Sequence, residues 1–551
     1  MPRWLFILAI SASLAAALAL RAPYLADRPM HGDEAVHTIK CDTLWRTHTY
    51  EYDPHEFHGP TLYYFTLPTL ELGHFHTLGD TTEATFRATT LAFGIGLILL
   101  LPFLAAGLGR GAAAIAALLT SISPAMAFYS DYYIQEMLLV FFTFGAIVSA
   151  YRFIRTGSRS ACLLSGLCVG LMIATKETWI IAGGCAAVAL LGVAVWKRKT
   201  ESQTGRDGFV RDTGAVDPGA ASPPAPQVAA MSVRRLVISM TGAALVALLV
   251  WVLLFSAFLT HPEDLVHAAR AVGEYLSRAT TGGNEIHRHP WNYYLSLLLY
   301  SHPAPGPTWS EALIVGLAGV GIAAAFAGRG TGDSDVWLLR FLSVYTLLLT
   351  AAYALIPYKT PWCLLGFFHG MILMAGVGAC TLLRASPGRI LKTVVALLLA
   401  AGAAQLTMQA LVTNGKLSAD RRNPYVYAHP GRDVVRLGER LDTLAGFSKE
   451  GHSMTIEVAV PDPWPIPWYL RRFDRDHVGY WETPDTLPPQ LNAPIILTCG
   501  DMSGPAEKKI NGSYHVEYFG LRPNEIVAVH VRTDLWDAYL KSRVNIRRTP
   551  A

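Results

Sequence analysis

Residues 30–37 read MHGDEAVH, with Asp33 and Glu34 side by side between His31 and His37. Adjacent carboxylates can take a proton from an attacking hydroxyl or bind a divalent cation. Asp33 and His37 stand four residues apart and would share a helix face, a reach suited to metal ligation, so His37 is a candidate metal ligand. A plainer role also fits: Asp33 as the N-cap after Gly32, with Glu34 in the first turn. Downstream, EYDPHEFHGPTLYYF adds Glu56 and His58 as polar candidates or as part of a solvated turn.

Other ionisable residues stand where apolar runs end. SPAMAFYSDYYIQEMLLVFF places Asp131 and Glu136 at such an end. Ionisable groups near membrane depth are costly and usually face a cavity or a pathway. The tyrosines around Asp131 can form an interfacial aromatic belt. Lys176 in ATKETW and Lys359 in PYKTPW each occupy a very short turn on the outer side. Cations there run against the usual charge bias. They imply an anionic partner such as a lipid phosphate, or else snorkelling and, for Lys176, pairing with Glu177. Pro357 and Pro361 stiffen the Lys359 turn, which favours the anion reading there. The loop after the seventh apolar run offers Arg270, Arg278, Glu285, His287, Arg288 and His289, with TTGGNE as a candidate lid.

The elements that must hold these residues are mostly membrane spans. The chain has 551 residues, 52% hydrophobic and 16% charged. About eleven stretches are apolar enough to cross ~30 Å of hydrocarbon, near 4–20, 86–106, 111–128, 136–153, 160–175, 178–196, 236–258, 311–327, 338–356, 361–380 and 391–411. An inside N-terminus puts Arg110, Arg152, Arg155, Arg159, Lys197–Lys199, Arg234, Arg235, Arg329, Arg384, Arg389 and Lys392 in inner loops, as the positive-inside rule requires. None of the 18 histidines then falls in an inner loop. The first run reads as a retained signal anchor. The seven cysteines form no CxxC and no disulfide framework.

Residues 1–411 thus read as a transmembrane domain. It carries an outer loop at 21–85, a disordered cytoplasmic linker at 197–235 and a second outer loop at 260–310. Within 21–85, DEAVHTIKCDTLW fits an amphipathic helix with Val36, Ile39 and Leu44 apolar, and PTLYYFTLPTLELGHF an interfacial helix. Residues 412–551 read as an extracytoplasmic α/β domain. Gly431–Phe447 is helical, SMTIEVAV, APIILTCG and IVAVHVR are strands, and DLWDAYLKSR is a closing helix. No glycine fingerprint for a nucleotide appears, and nothing points to nucleic acid.

The acidic pair, HGPTLYY, SDYYIQE, TKETW, HPWNYY and YKTPWCLL, in that order, resemble the GT-C superfamily of membrane glycosyltransferases. The likeness is to the branch of protein O-mannosyltransferases and lipid A aminoarabinose transferases. IPYKTPW and PWPIPWYLRR make the chain most similar to the prokaryotic flippase-activity-associated family. The resemblance implies a polyprenyl-phosphate-linked sugar donor, an acceptor protein, lipid or glycan, an outward-facing site at the plasma membrane, and transfer with inversion. It implies Asp33 as general base with Glu34 supporting it, and Lys359 near the lipid phosphate, joined by Arg288 or Arg270. His58, Asp131, Glu136 and Lys176 complete the expected substrate-binding set. His58 stands where aminoarabinose transferases have an acidic residue, so the acceptor class stays open. So does a divalent cation as cofactor. The alternative function is a non-catalytic flippase, or an accessory to one, for lipid-linked sugars. A solute transporter would show inverted repeats, and none is visible.

Overall fold

The computed structural model describes residues 1–53, 58–208, 231–281 and 287–546. Glu56, Glu285, most of TTGGNE and linker residues 209–230 lie outside the described residues. The chain divides into two compact units. One holds Met1–Pro23, Thr49–Tyr64 and Thr89–Lys416. The other holds Tyr24–His48, Phe65–Ala88 and Leu417–Ala551, so it includes segments that the sequence assigns to the membrane region.

Among the described residues sixteen α-helices precede the tail. They are α1 Arg3–Arg21, α2 Gly32–Thr47, α3 Thr61–Leu72, α4 Glu83–Leu108, α5 Arg110–Ile122, α6 Pro124–Ser130, α7 Glu136–Thr156 and α8 Arg159–Ile173. There follow α9 Trp179–Gly208, α10 Val233–Phe255, α11 Asp264–Thr281, α12 Tyr293–Leu299, α13 Ala312–Ala327, α14 Val336–Leu355, α15 Leu365–Ala385 and α16 Gly388–Asn414. All eleven apolar stretches are helical. Among the described residues eight helices are long and apolar enough to span a membrane, or nine if the bent pair α5–α6 counts as one span. At 15 and 16 residues, α8 and α13 are shorter than that length, so the expected count of eleven spans is not confirmed.

The stretch expected as one span at 111–128 is bent by 62°. Ser123 is extended, and Pro124 opens α6 because its missing N–H costs nothing at a first helical position. The Glu311 carboxylate accepts from Ser123 Oγ at 2.6 Å and from Ala125 N at 2.9 Å, filling the break with hydrogen bonds. Where α13 crosses α15, Gly321 and Gly378 face backbone, and a Cβ on either would collide with the other helix. Small residues there let two spans meet closely where lipid gives no hydrophobic drive to pair them. The linker does not begin at 197 as expected, because α9 continues to Gly208. Residues 197–202 (KRKTES) carry a Lys197–Glu201 pair at 3.9 Å, four residues apart, which suits a helix.

In the second unit, the tail adds α17 Asp433–Ala445, α18 Ile466–Tyr469, α19 Ser503–Glu507 and α20 Thr533–Ile546 around one sheet. Its strands are β1 Ile456–Ala459, β2 Val478–Trp481, β3 Ile495–Cys499, β4 Tyr514–Arg522 and β5 Glu525–Arg532, in the order β2-β1-β3-β5-β4. β1 runs parallel to β2 and β3, while β5 is antiparallel to β3 and β4. Every residue of β1 and β3 is buried, which explains their unbroken apolar sequence. Asn524 takes a left-handed φ of 69° at the β4–β5 turn, a conformation asparagine tolerates. The helix α2 is not simply amphipathic. It buries Glu34, His37, Thr38 and Asp42, and Asp42 is matched by Arg46 at 2.9 Å and Arg475 at 2.6 Å.

Candidate functional site

The two adjacent carboxylates sit in opposite environments. His31, and not Asp33, is the N-cap of α2: its Nδ1 accepts from Asp33 N at 3.0 Å. Glu34 closes the capping box by accepting from His31 N at 3.0 Å. Glu34 is 0% exposed and is gripped by Arg87, with Nε to Oε1 at 2.8 Å and a terminal nitrogen to Oε2 at 2.7 Å. Arg28 adds a contact at 3.3 Å. Arg87 also donates to the carbonyls of Leu25, Arg28 and Pro29, so one guanidinium ties down the chain that leads into the helix. Glu34 was expected to help Asp33 in catalysis. It is buried, with its oxygens bonded to Arg87, Arg28 and the His31 N–H. Asp33 is the open member, with half of its side chain (50%) exposed.

This donor set does not suit a cation. His37 is buried, and His31 is used as cap and bonded through Nε2 to the Tyr427 carbonyl at 2.9 Å. Among the described residues no three His, Cys, Asp or Glu side chains gather as metal ligands. His37 is buried away from any such cluster.

In the first unit, two weak sequence motifs meet. His58 pairs with Lys176 as an antiparallel bridge, and Gly59 N donates to Thr175 O at 3.1 Å. His58 Nδ1 lies 3.3 Å from Glu177 Oε2, while Lys176 donates to Glu136. Burial opposes the Lys176 charge, but the adjacent Glu136 outweighs it and raises the lysine above its ordinary value. Tyr50 donates to the His58 carbonyl at 3.2 Å, and Tyr52 N donates to Asp264 at 3.0 Å. Burial, with Glu177 and Asp264 nearby, pushes both phenols up. The expected anion partner of Lys176 is thus replaced by an internal carboxylate. Asp131 has other partners: Asn414 Nδ2 at 3.2 Å, and Arg21 within electrostatic reach.

Lys359 is 1% exposed. Its segment bridges to 287–289: Lys359 N donates to His287 O at 2.8 Å, and His289 N to Pro357 O at 3.2 Å. The ammonium donates to the carbonyls of His289, at 3.3 Å, and Ile356. No carboxylate pairs with it among the described residues. Burial lowers its pKa. Burial also lowers that of His289, with Lys359 and His287 adding to the effect. Arg288, bridged to Tyr358 beside Lys359, and Arg270, on α11, are exposed.

Close by in sequence, Trp362 and Cys363 help line a mainly apolar cleft with about 640 Å³ of empty space. It lies among α7, α9, α14 and α15, with Glu136, Thr178, Tyr353 and His369 as polar lining. Sequence reasoning missed Tyr294 and Tyr353, whose rings lie 6.4 Å apart, and the place of Cys363 in the cleft lining. Their only sequence signal was the HPWNYY and TPWC motifs that contain or flank them.

Residues 66–205 match the family model described as dolichyl-phosphate-mannose-protein mannosyltransferase. No curated protein matches the chain. Among solved structures the chain is similar to ArnT from Cupriavidus metallidurans bound to undecaprenyl phosphate. The identity is 13% and the TM-score 0.59, over 96% of this chain and 98% of that one. The apo state of ArnT gives 13% and 0.58 over the same shares. An Archaeoglobus fulgidus oligosaccharyltransferase tethered to an acceptor peptide gives 11% and 0.49, over 86% of this chain and 64% of that one. The chain therefore shares the fold of ArnT, with eight or nine helices among the described residues long and apolar enough to span a membrane, and a C-terminal sheet domain. The flippase-associated branch is not distinguished by these relatives.

Proposed function

We propose that the chain is a membrane glycosyltransferase that moves a sugar from a polyprenyl-phosphate donor to an acceptor hydroxyl. The observation that carries this reading is Lys359. A buried ammonium with only carbonyl partners is costly unless an anion joins it. Four residues further along the chain, Cys363 lines an apolar cleft, so the lysine is a sequence neighbour of that cleft. A lipid phosphate offers both the anion and the chain to fill such a cleft, and the ArnT structure is one bound to undecaprenyl phosphate.

In this reading the acceptor oxygen attacks the anomeric carbon as its proton passes to Asp33. The anomeric carbon–phosphate oxygen bond breaks, polyprenyl phosphate leaves, and configuration inverts. Lys359 steadies the charge growing on the phosphate, with Arg288 or Arg270 as a second cation. The Lys176–Glu136 and His58–Glu177 pairs shape the donor site. The reaction takes place on the outer face of the plasma membrane, with the N-terminus inside and the tail outside. The test supplies purified protein with labelled polyprenyl-phosphate sugars and candidate acceptors. Wild type should release polyprenyl phosphate and label the acceptor, and Asp33→Asn should not. A wild type that never releases sugar, in cells where loss of the chain stops lipid-sugar translocation, points to the flippase function instead.

A further inference from the structure

The second unit has an open cleft of about 1000 Å³ whose lining includes Arg421, His429, Arg432 and Arg522 together with Asp420 and Asp433. The charges do not cancel evenly. Asp420 is held by Arg422 through contacts of 2.9 and 2.7 Å, and Asp433 by Arg436 at 3.1 Å. Arg522 is held by Glu525 at 2.7 Å and by Asp462. Arg421 and Arg432 remain, both exposed and with no carboxylate partner among the described residues. Two such arginines lining one cleft suit a planar or tetrahedral oxyanion, which arginine can bind through paired N–H donors.

The cleft is also tied to the proposed catalytic helix. His429 lines it, and the His429 ring lies 4.8 Å from that of His31. His31 in turn accepts the backbone N–H of Asp33. One wall of the cleft is thus two side chains away from the first turn of α2.

We propose that this cleft is the acceptor subsite, and that it takes a phosphate or carboxylate carried by the sugar chain or lipid that receives the transferred sugar. The inference deepens the transferase reading and rests on it, but anion binding can be measured without turnover. The full chain in detergent is titrated calorimetrically with glucose 6-phosphate, methyl glucuronide, inorganic phosphate and neutral methyl glucoside. The two anionic sugars should bind, methyl glucoside should not, and Arg421→Gln/Arg432→Gln should weaken the anionic sugars at least tenfold. Lys449→Gln, which alters an exposed cation that neither lines the cleft nor pairs with a residue lining it, should leave binding unchanged. In transfer assays the double variant should raise KM for anionic acceptors about tenfold and leave kcat alone. Binding of inorganic phosphate as tight as that of either sugar marks a site for free phosphate and overturns the proposal. Unchanged binding in the double variant overturns it as well. Anion binding lost in the double variant, in a protein that transfers to no acceptor, keeps the anion site and removes the transferase reading.

Discussion

Replacing Lys359 by methionine should separate stability from donor binding, and the two effects should differ in size. Methionine fills much the same volume and removes the charge. The folded protein loses two hydrogen bonds to the His289 and Ile356 carbonyls, about 1 kcal/mol each. It also sheds the desolvation cost of a buried cation that no carboxylate offsets, which acts in the opposite direction. The net change in melting temperature should be within a few degrees. Donor binding should suffer more. A phosphate about 4 Å from the ammonium gains roughly 4 kcal/mol at an effective dielectric constant of ~20. Solvent at a working site cuts this to about 2–4 kcal/mol, or roughly 30- to 700-fold in affinity. The assay is thermal unfolding in detergent, with and without polyprenyl phosphate. At 100 times Kd a ligand stabilises the wild type by about 2.7 kcal/mol. That ligand-induced rise should fall to about 0.1–0.9 kcal/mol in Lys359→Met while the unliganded melting temperature holds. A variant that melts many degrees lower yet keeps the full ligand-induced rise would refute the assignment of Lys359 to the phosphate.

The acidic pair should split in mutants. Asp33→Asn should keep the wild-type melting temperature and lose transfer by a hundredfold or more, since general-base catalysis typically contributes about 10²–10⁴-fold. Glu34→Gln should instead destabilise by roughly 3–5 kcal/mol, because it leaves Arg87 and Arg28 buried without their carboxylate, and unfolding in urea would show it. Donor binding should also fall as pH rises. Burial holds Lys359 below the usual 10.5, so its charge, and the affinity that depends on it, disappears at a lower pH than for an exposed lysine. His429 gives the opposite pH trend in stability. Burial, with His31 adjacent, holds its folded pKa well below the unfolded 6.5, so the unfolded chain takes up a proton first as pH falls. Stability is full above pH 6.5 and falls below it, by up to about 1.4 kcal/mol per pH unit, a slope that His429→Gln should remove.

Composition alone was enough to locate the helices, because apolar runs bounded by charge have few other solutions in lipid. The same logic found β1, β3 and β5, whose residues are largely buried. It missed β2, four residues long and only half-buried, and β4, whose His, Glu and Tyr residues interrupt any apolar pattern. Site chemistry was legible one residue at a time and not as pairings. Nothing near MHGDEAVH indicates that Arg87, more than fifty positions later, will claim Glu34, or that a histidine will cap the helix. Likewise TKETW gave no hint that His58 would lie alongside Lys176. Such pairings depend on which segments the fold brings side by side, and a single sequence does not display that.

The Arg87 grip on Glu34 also makes the order of the acidic dipeptide matter. Charge and composition would be unchanged if the two residues were exchanged. An aspartate at position 34 would be one methylene shorter, and would have to fall short of Arg87, of the backbone N–H of His31, or of both. A glutamate at 33 would carry its carboxylate farther from the backbone on an additional rotatable bond. Asp-Glu and Glu-Asp are therefore different instructions at this turn, since one acid must reach inward to hold the helix start while its neighbour stays short and free to act.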